Sequence, residues 1–316
     1  MINKKKIFIT GGAGYIGSIL SEILSADINN EILILDNFTY NNQSLNHLLH
    51  RKNIKIIDCD VRDFDKYKNL FLDYNFFIPL AAIVGAPSCS KNSKYSEEIN
   101  VMSVIKLFNA LNPEKHKIIM PTTNSFYGKG GKENFCDETS DVNPISEYAL
   151  QKYEVEKKLI SFGNFISFRL ATVFGVSPRM RNDLLVNDFV FRAYFDRVLN
   201  IFEGGFKRNY IHLIDVARAF SFAINNYDKL KNNIYNIGLS SANLSKFELA
   251  NKIKLFVPDL LIIEDRVKKD PDQRNYIVSN DKIEKTGFKT IINIDDGIEE
   301  LVKYYGTQKK YNFGNI

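Results

Sequence analysis

The sequence predicts an α/β protein, a doubly wound parallel sheet followed by a smaller C-terminal α/β lobe. Short apolar runs alternate with segments whose apolar residues fall at helical spacing. A glycine-rich turn separates the first run from the first helical segment, and the rhythm changes after about Phe174. The 316 residues, 45% hydrophobic and 25% charged, can bury a large core, and they exclude disordered, collagen-like and coiled-coil classes. Forty-two Lys+Arg against 37 Asp+Glu leave +5, which suits a small anionic ligand and is too slight to argue for nucleic acid.

The runs Ile7-Phe8-Ile9, Glu31-Ile32-Leu33-Ile34-Leu35, Ile54-Lys55-Ile56-Ile57, Phe76-Phe77-Ile78-Pro79-Leu80, Ile118-Ile119-Met120 and Phe165-Ile166-Ser167-Phe168 read as buried strands. Between them, Ile16-Ile19-Leu20-Ile23-Leu24 and Val101-Val104-Ile105-Leu107-Phe108-Leu111 carry an apolar stripe at helical spacing. The alternation calls for parallel strands covered by helices on both faces. Residues 1–174 make the first domain, and a helix over about 213–227 packs back on it. Residues 175–316 make mostly the second lobe. Its elements are a helix near Leu184 to Tyr194, strands near Leu199-Ile201 and Tyr210-Ile211, and helices near Lys246 to Phe256 and Asp295 to Tyr305. Folds of this kind bind ligands in the crevice at the carboxyl ends of the strands.

The first strand runs into Gly11-Gly12-Ala13-Gly14-Tyr15-Ile16-Gly17 and then a helix. Glycines at 11, 14 and 17 permit the tight turn, the close approach of backbone N–H groups to a pyrophosphate, and close helix packing, and the helix N-terminus adds partial positive charge. Leu33-Ile34-Leu35-Asp36 ends the second strand about 20 residues on, the context that turns a glycine loop into a dinucleotide site. Asp36 can accept hydrogen bonds from the adenosine ribose and would repel a 2′-phosphate, which favours NAD over NADP; capping of the next turn is its other reading. The expected first domain is therefore an NAD-binding Rossmann unit.

Tyr148-Ala149-Leu150-Gln151-Lys152 follows Thr122-Thr123-Asn124-Ser125-Phe126-Tyr127-Gly128 at the end of the fifth strand. A spacing of four puts Tyr148 and Lys152 on one helix face. A unit charge ~4 Å away at an effective dielectric of ~20 is worth about 4 kcal/mol, at most ~3 pH units of lowering, enough to bring a phenol of ~10 near 7. A bound nicotinamide cation acts in the same direction. Tyr148 is then a base for a substrate hydroxyl, with Thr123 holding that oxygen by a hydrogen bond.

With these residues in view, the sequence resembles the extended short-chain dehydrogenases/reductases that act on sugar nucleotides. The resemblance spans nearly the whole chain: the glycine loop, Asp36-Asn37, Asp60-Val61, Leu80-Ala81-Ala82, Asn100 in the following helix, Thr123 through Gly128, the Tyr148/Lys152 pair and Arg208-Asn209-Tyr210-Ile211-His212. It implies that Gly11, Gly14, Tyr15 and Ile16 line the pyrophosphate, that Asp36 and Asn37 hold the ribose, and that Asp60 and Val61 flank adenine. It further implies that Ala81 and Ala82 cover the nicotinamide side, that Leu80 and Asn100 also contact the cofactor, and that Lys152 also holds the nicotinamide ribose. A tightly held NAD and a homodimer paired through the Tyr148 helix and the one before it are implied as well.

Sugar-nucleotide 4,6-dehydratases follow the catalytic Thr with Asp-Glu, whereas this chain has Asn124 and Ser125, an amide and a hydroxyl unsuited to that acid–base work and left to contact the substrate. Oxidation at a sugar hydroxyl, at C4, remains, with the hydride returned (a 4-epimerase) or passed on (a net dehydrogenase). Pro79 through Pro87, Phe168 through Gly175, Ser177-Pro178-Arg179-Met180-Arg181 and Leu184 through Phe189 are similar to the NAD-dependent GDP-heptose 4-dehydrogenases of bacterial capsule synthesis. That similarity implies GDP-D-glycero-α-D-manno-heptose as substrate and 2-oxoglutarate as hydride acceptor. A diphosphate calls for cationic donors, and Arg179, Arg181, Arg208 and Arg274 lie in segments expected to face the cleft. Arg208 matches a family phosphate ligand, and Asn187 lies where the family contacts the nucleotide. A catalytically silent NAD-binding scaffold is the reading outside enzymology, and joint retention of Thr123, Tyr148 and Lys152 speaks against it.

Other classes find little support. Cys59, Cys89 and Cys136 are odd in number and far apart, which fits a reduced, cytoplasmic compartment and no disulfide framework. His47, His50, His116 and His212 make no metal cluster. The Met1-Ile2-Asn3-Lys4-Lys5-Lys6 lead-in is followed by glycines rather than a signal-peptide apolar core, and no run of about 18 apolar residues predicts a membrane span.

Overall fold

The computed structural model describes residues 4–40, 43–129, 135–265 and 274–308; Met1, Ile2 and Asn3 of the lysine-rich lead-in lie outside them. Through the first domain run β1 (Lys5–Thr10), α1 (Tyr15–Ser25), β2 (Asn30–Asp36), β3 (Ile54–Asp58), α2 (Phe64–Tyr67), β4 (Phe76–Pro79), α3 (Ala86–Lys91), α4 (Ser93–Glu97), α5 (Ser103–Ala110), β5 (Lys117–Thr123), β6 (Phe135–Cys136), α6 (Glu147–Phe162) and β7 (Phe165–Leu170). There follow β8 (Thr172–Phe174), α7 (Leu185–Phe195), β9 (Val198–Phe202), β10 (Lys207–His212), α8 (Leu213–Asn225), α9 (Tyr227–Leu230), β11 (Asn233–Ile237), β12 (Asn243–Ser245), α10 (Lys246–Phe256), β13 (Leu261–Asp265), β14 (Ile277–Val278), α11 (Asp281–Glu284) and α12 (Ile294–Gly306).

All six expected strands form, and they join a seven-stranded parallel sheet of order β11-β7-β5-β4-β1-β2-β3. The order reverses between β1 and β4, which opens the ligand crevice at their carboxyl ends. Alternate side chains feed two apolar layers, as a sheet covered on both faces requires. Ile7, Ile9, Ile32 and Ile34 pack with α1 and α8, while Phe8, Leu33, Leu35 and Phe77 pack with α5 and α6. The helix expected to pack back does so, through Val216, Ala217, Phe220, Ala223 and Ile224 of α8. The return is longer than the sequence reading had it, because β11 follows and pairs along β7 from Asn233↔Ile166 to Ile237↔Leu170.

The second lobe keeps its own core, in which Val186, Val190, Tyr210, Leu249, Ile253, Ile298 and Leu301 bring α7, α10 and α12 around β10. The start of α10 is fixed by a capping box, Ser245 accepting from Glu248 N and Glu248 from Ser245 N. One expected helix is not uniform: the segment holding Asn100 is a π-turn, Glu98–Met102, and the α-helix resumes at Ser103. Such turns are frequent at functional sites.

Candidate active site

The glycine loop fits a dinucleotide on three counts. Gly11 has φ +73°, and a Cβ there would lie 2.5 Å from Ala81 N, so the loop can cross the exit of β4 only as glycine. A Cβ on Gly17 would lie 2.2 Å from Gly11 O, so α1 can start against the turn. Finally, α1 begins with no side-chain cap and no acid in its first turn, which leaves its leading N–H groups to an anion. Gly11, Gly14 and Ile16, expected at the pyrophosphate, lie in this turn and in the first turn of α1.

Asp36 closes β2 beside that loop. Its carboxylate accepts from Ala13 N at 2.9 Å and Phe38 N at 2.9 Å, and burial raises its pKa against those two bonds. It thus caps the turn and borders the expected ribose at once. Asn37 donates to Asp60 Oδ2 at 3.0 Å, and Arg62 grips Asp60 at 3.0 Å, holding its carboxyl below the usual range. Val61 is buried against Tyr67, whose hydroxyl donates to Val61 O at 2.9 Å. This rim is one unit, preformed by its own bonds.

Thr123 ends β5, and the next residues form a 3₁₀ turn that it caps, accepting from Ser125 N at 3.1 Å. Its hydroxyl donates to Ser125 Oγ at 2.9 Å. Both amide atoms of Asn124 are buried and find no partner among the described residues. An unmet buried polar group costs about 1–3 kcal/mol, which marks a position kept for something other than stability. Facing this shelf, α6 carries Tyr148 in its first turn and Lys152 one turn later.

Electrostatics here differ from the sequence-based expectation. Burial, followed by Cys89, pushes Tyr148 up to about 12, and Arg181 and Arg274 pull it back only in part. Burial pushes Lys152 down to about 8. In the protein alone, burial therefore dominates at both groups, and the charges that oppose it at Tyr148 are the guanidinium groups of Arg181 and Arg274. Cys89, whose thiol donates to Ile83 O at 3.4 Å, was given no place at the site from sequence, nor was Gln151. Neither belongs to a motif that would have found it.

Two residues expected to meet ligands are also held in bonds within the protein. Asn100 is fully buried, and its amide accepts from Ile83 N at 2.8 Å and donates to Ile83 O at 2.9 Å and to Gln151 Oε1 at 2.7 Å. Those bonds tie the loop after β4, which holds Leu80, Ala81 and Ala82, to the Tyr148 helix. Asn187, expected at the nucleotide, is likewise buried and spent on Gly175 N at 3.0 Å, Arg181 O at 2.8 Å and the Tyr15 hydroxyl at 3.1 Å. Tyr15 in turn donates to Gly175 O at 2.7 Å, so its ring faces the second lobe and only its backbone is left for a pyrophosphate.

The arginines divide. Arg179 stacks 4.1 Å over the Tyr40 ring and bonds Met180 O. Arg181 pairs with Asp183 at 2.5 Å. Arg208 is buried, its Nη1 donating to Lys207 O at 3.4 Å. Arg274 bonds the shelf, its Nη1 donating to Ser125 Oγ.

Known proteins resemble this chain along most of its length. A Methanocaldococcus jannaschii protein with a provisional UDP-glucose 4-epimerase name is 28% identical over 94% of this chain and 97% of its own length. UDP-glucuronate 4-epimerase 2 of Arabidopsis thaliana is 25% identical over 96% and 76%. The UDP-glucose 4-epimerase of Thermotoga maritima, solved with UDP-glucose, superposes with a TM-score of 0.83 at 22% identity, covering 95% of this chain and 98% of that one, a likeness of fold. Residues 7–238 match the NAD dependent epimerase/dehydratase family, which takes in the glycine loop, Thr123, Tyr148, Lys152 and the strand that completes the sheet, and to this family the chain belongs.

Proposed function

We propose that the chain oxidises the C4 hydroxyl of a nucleotide-linked sugar to the ketone, and that the sugar is GDP-D-glycero-α-D-manno-heptose destined for a surface polysaccharide. The observation that carries the chemistry is the composition of the shelf: Thr123 is followed by an amide and a hydroxyl, Asn124 and Ser125, and not by an acid–base pair able to expel water. When bound, NAD+ supplies the hydride acceptor. Tyr148, as phenolate, takes the hydroxyl proton, Thr123 Oγ1 fixes the sugar oxygen, and Lys152 favours the phenolate and holds the nicotinamide ribose. Resemblance of the Ser177 to Phe189 segment supports the heptose, and 2-oxoglutarate is the acceptor that regenerates the cofactor.

A second reading has a specific observation behind it. Relatives along nearly the full length carry 4-epimerase names, and an epimerase uses the same three residues with the hydride returned to the other face. Product mass after incubation with GDP-heptose and a panel of UDP-sugars, with and without 2-oxoglutarate, separates the readings. Loss of two hydrogens, amplified by 2-oxoglutarate, is expected. Unchanged mass with inverted C4 selects the epimerase, and loss of water removes the argument from Asn124 and Ser125. Turnover undiminished in Tyr148→Phe removes the role proposed for Tyr148, and no turnover on any sugar of the panel leaves a silent scaffold.

A homodimer in a reduced cytoplasmic setting belongs to the same proposal. Exposed Leu150, Ile160 and Met102, at 54%, 48% and 50% of their full surface, lie on α6 and the helical segment before α5 and support pairing there. No helix among the described residues is long and apolar enough to cross a membrane.

A further inference from the structure

We infer that Arg274 is a positioning residue for the reacting pair: its guanidinium, held on Ser125, frees the Thr123 hydroxyl for the sugar oxygen and supplies second-lobe charge to the phenolate of Tyr148. The inference rests on the reading of Thr123 and Tyr148 as the groups that meet the substrate hydroxyl.

The geometry is a chain of three. Arg274 Nη1 donates to Ser125 Oγ, and Thr123 Oγ1 donates to the same oxygen at 2.9 Å. Thr123 and Ser125 are both buried, so water does not substitute for either bond. A hydroxyl oxygen has two lone pairs, and a charge-assisted donor binds roughly twice as strongly as a neutral one. Arg274 therefore takes the better share of Ser125 Oγ and weakens its hold on the Thr123 hydrogen. That hydrogen can swing to the sugar oxygen as negative charge builds there, which is when it stabilises most. Without Arg274 it stays on Ser125.

The charges around Tyr148 point the same way. Cys89 of α3 faces it, Lys152 lies one turn along α6, and Arg181 and Arg274 approach from the second lobe; the two arginines lower its pKa, while burial and Cys89 raise it. Both activating guanidinium groups sit on the lobe that also receives the substrate. Arg274 follows a segment outside the described residues, and its contact with the 3₁₀ turn after β5 is made entirely by described atoms.

The test uses the full chain loaded with NAD+ and the nucleotide sugar that turns over best in the product-mass assay. Arg274→Gln is expected to lower kcat on the order of tenfold to a hundredfold with a smaller change in KM, and to move the base limb of the pH–rate profile up by about one unit. Adding Ser125→Ala to Arg274→Gln is expected to restore part of kcat, because Thr123 then has no competing acceptor, while the pH limb stays displaced. Arg274→Lys is expected to keep the pH limb and recover little kcat. A rise in KM alone, with kcat and the limb unmoved, makes Arg274 a diphosphate ligand and overturns the inference. Difference-absorbance titration of Tyr148, each protein against its Tyr148→Phe partner, is read without turnover. An unchanged titration in Arg274→Gln overturns the electrostatic half even where no sugar in the panel is oxidised.

Discussion

Tyr148 and Lys152 show how far a spacing argument reaches. Four residues apart on α6, they do share a face, but Lys152 is 97% buried (3% exposed) and Tyr148 sits half-buried beside Cys89, so both ordinary charged forms are disfavoured. Difference-absorbance titration of the protein alone, against Tyr148→Phe, is expected to place the phenol near 12, and saturating NAD+ is expected to lower it through the nicotinamide cation. A phenol already near neutrality in the protein alone contradicts this. Lys152 carries a stability consequence of definite sign. Its folded pKa, about 8, lies below its ordinary 10.5, so the unfolded chain binds the proton more tightly between those values. The cost is complete below about 8 and is relieved as pH rises from there to 10.5. Lys152→Met is accordingly expected to be more stable than the parent by about 3 kcal/mol at neutral pH, to lose turnover, and to show a stability advantage that shrinks in alkaline buffer. Denaturant titrations at three pH values check it, and an advantage independent of pH would refute it.

At the scale of elements, what seats the Tyr148 helix is a buried network below it. Glu156, one turn past Lys152 on α6, accepts from Arg169 of β7 at 2.6 Å, from Ser167 Oγ at 2.7 Å and from Thr122 Oγ1 of β5 at 3.0 Å. Arg169 also donates to the Tyr127 hydroxyl at 3.2 Å. The two charges are nearly water-free, so removing one strands the other. Glu156→Ala is expected to cost about 3–5 kcal/mol in urea unfolding, and Glu156→Leu with Arg169→Met together far less. Equal losses in the single and double variants would mean the pair is not the source. The six first-domain strands were legible from their apolar runs, and α1 and α5 from spacing, because burial of one face writes itself into the order of residues. The network was not legible, since Glu156, Arg169, Asn100 and Asn187 look in sequence like any solvated polar residue. Only the fold brings their partners, 13 residues away for Glu156–Arg169 and 172 for Asn187–Tyr15, to them. In β11, Asn233-Ile234-Tyr235-Asn236-Ile237 is half polar, so it lacks the signature of a buried strand; its asparagines are accommodated by Tyr127, Ser279 and Lys231.

For the whole molecule, the decisive feature is that the chain leaves the first sheet at β7 and comes back to finish it. Val216, Ala217, Ala219, Phe220, Ala223 and Ile224 of α8 fill the core layer over Ile7, Ile9, Ile32 and Ile34, and β11 covers the open edge of β7, with Ala171 N donating to Ile237 O at 2.9 Å. Across the lobes, Tyr15, Gly175, Asn187 and Ser177 form a buried clasp, with Ser177 Oγ donating to Tyr15 O at 2.9 Å. Neither unit can shed the other without exposing apolar surface at roughly 25 cal/mol per Å² and leaving buried amides unmet. A fragment of residues 1–174, although it contains the glycine loop, Thr123, Tyr148 and Lys152, is therefore expected to lack cooperative thermal unfolding and near-ultraviolet circular dichroism, while the full chain unfolds in one transition. Extending the fragment to 238 restores β11 and α8 and is expected to recover part of that cooperativity. A 1–174 fragment that melts sharply by itself would show instead that the return is an embellishment, and that the two lobes meet at an ordinary domain boundary.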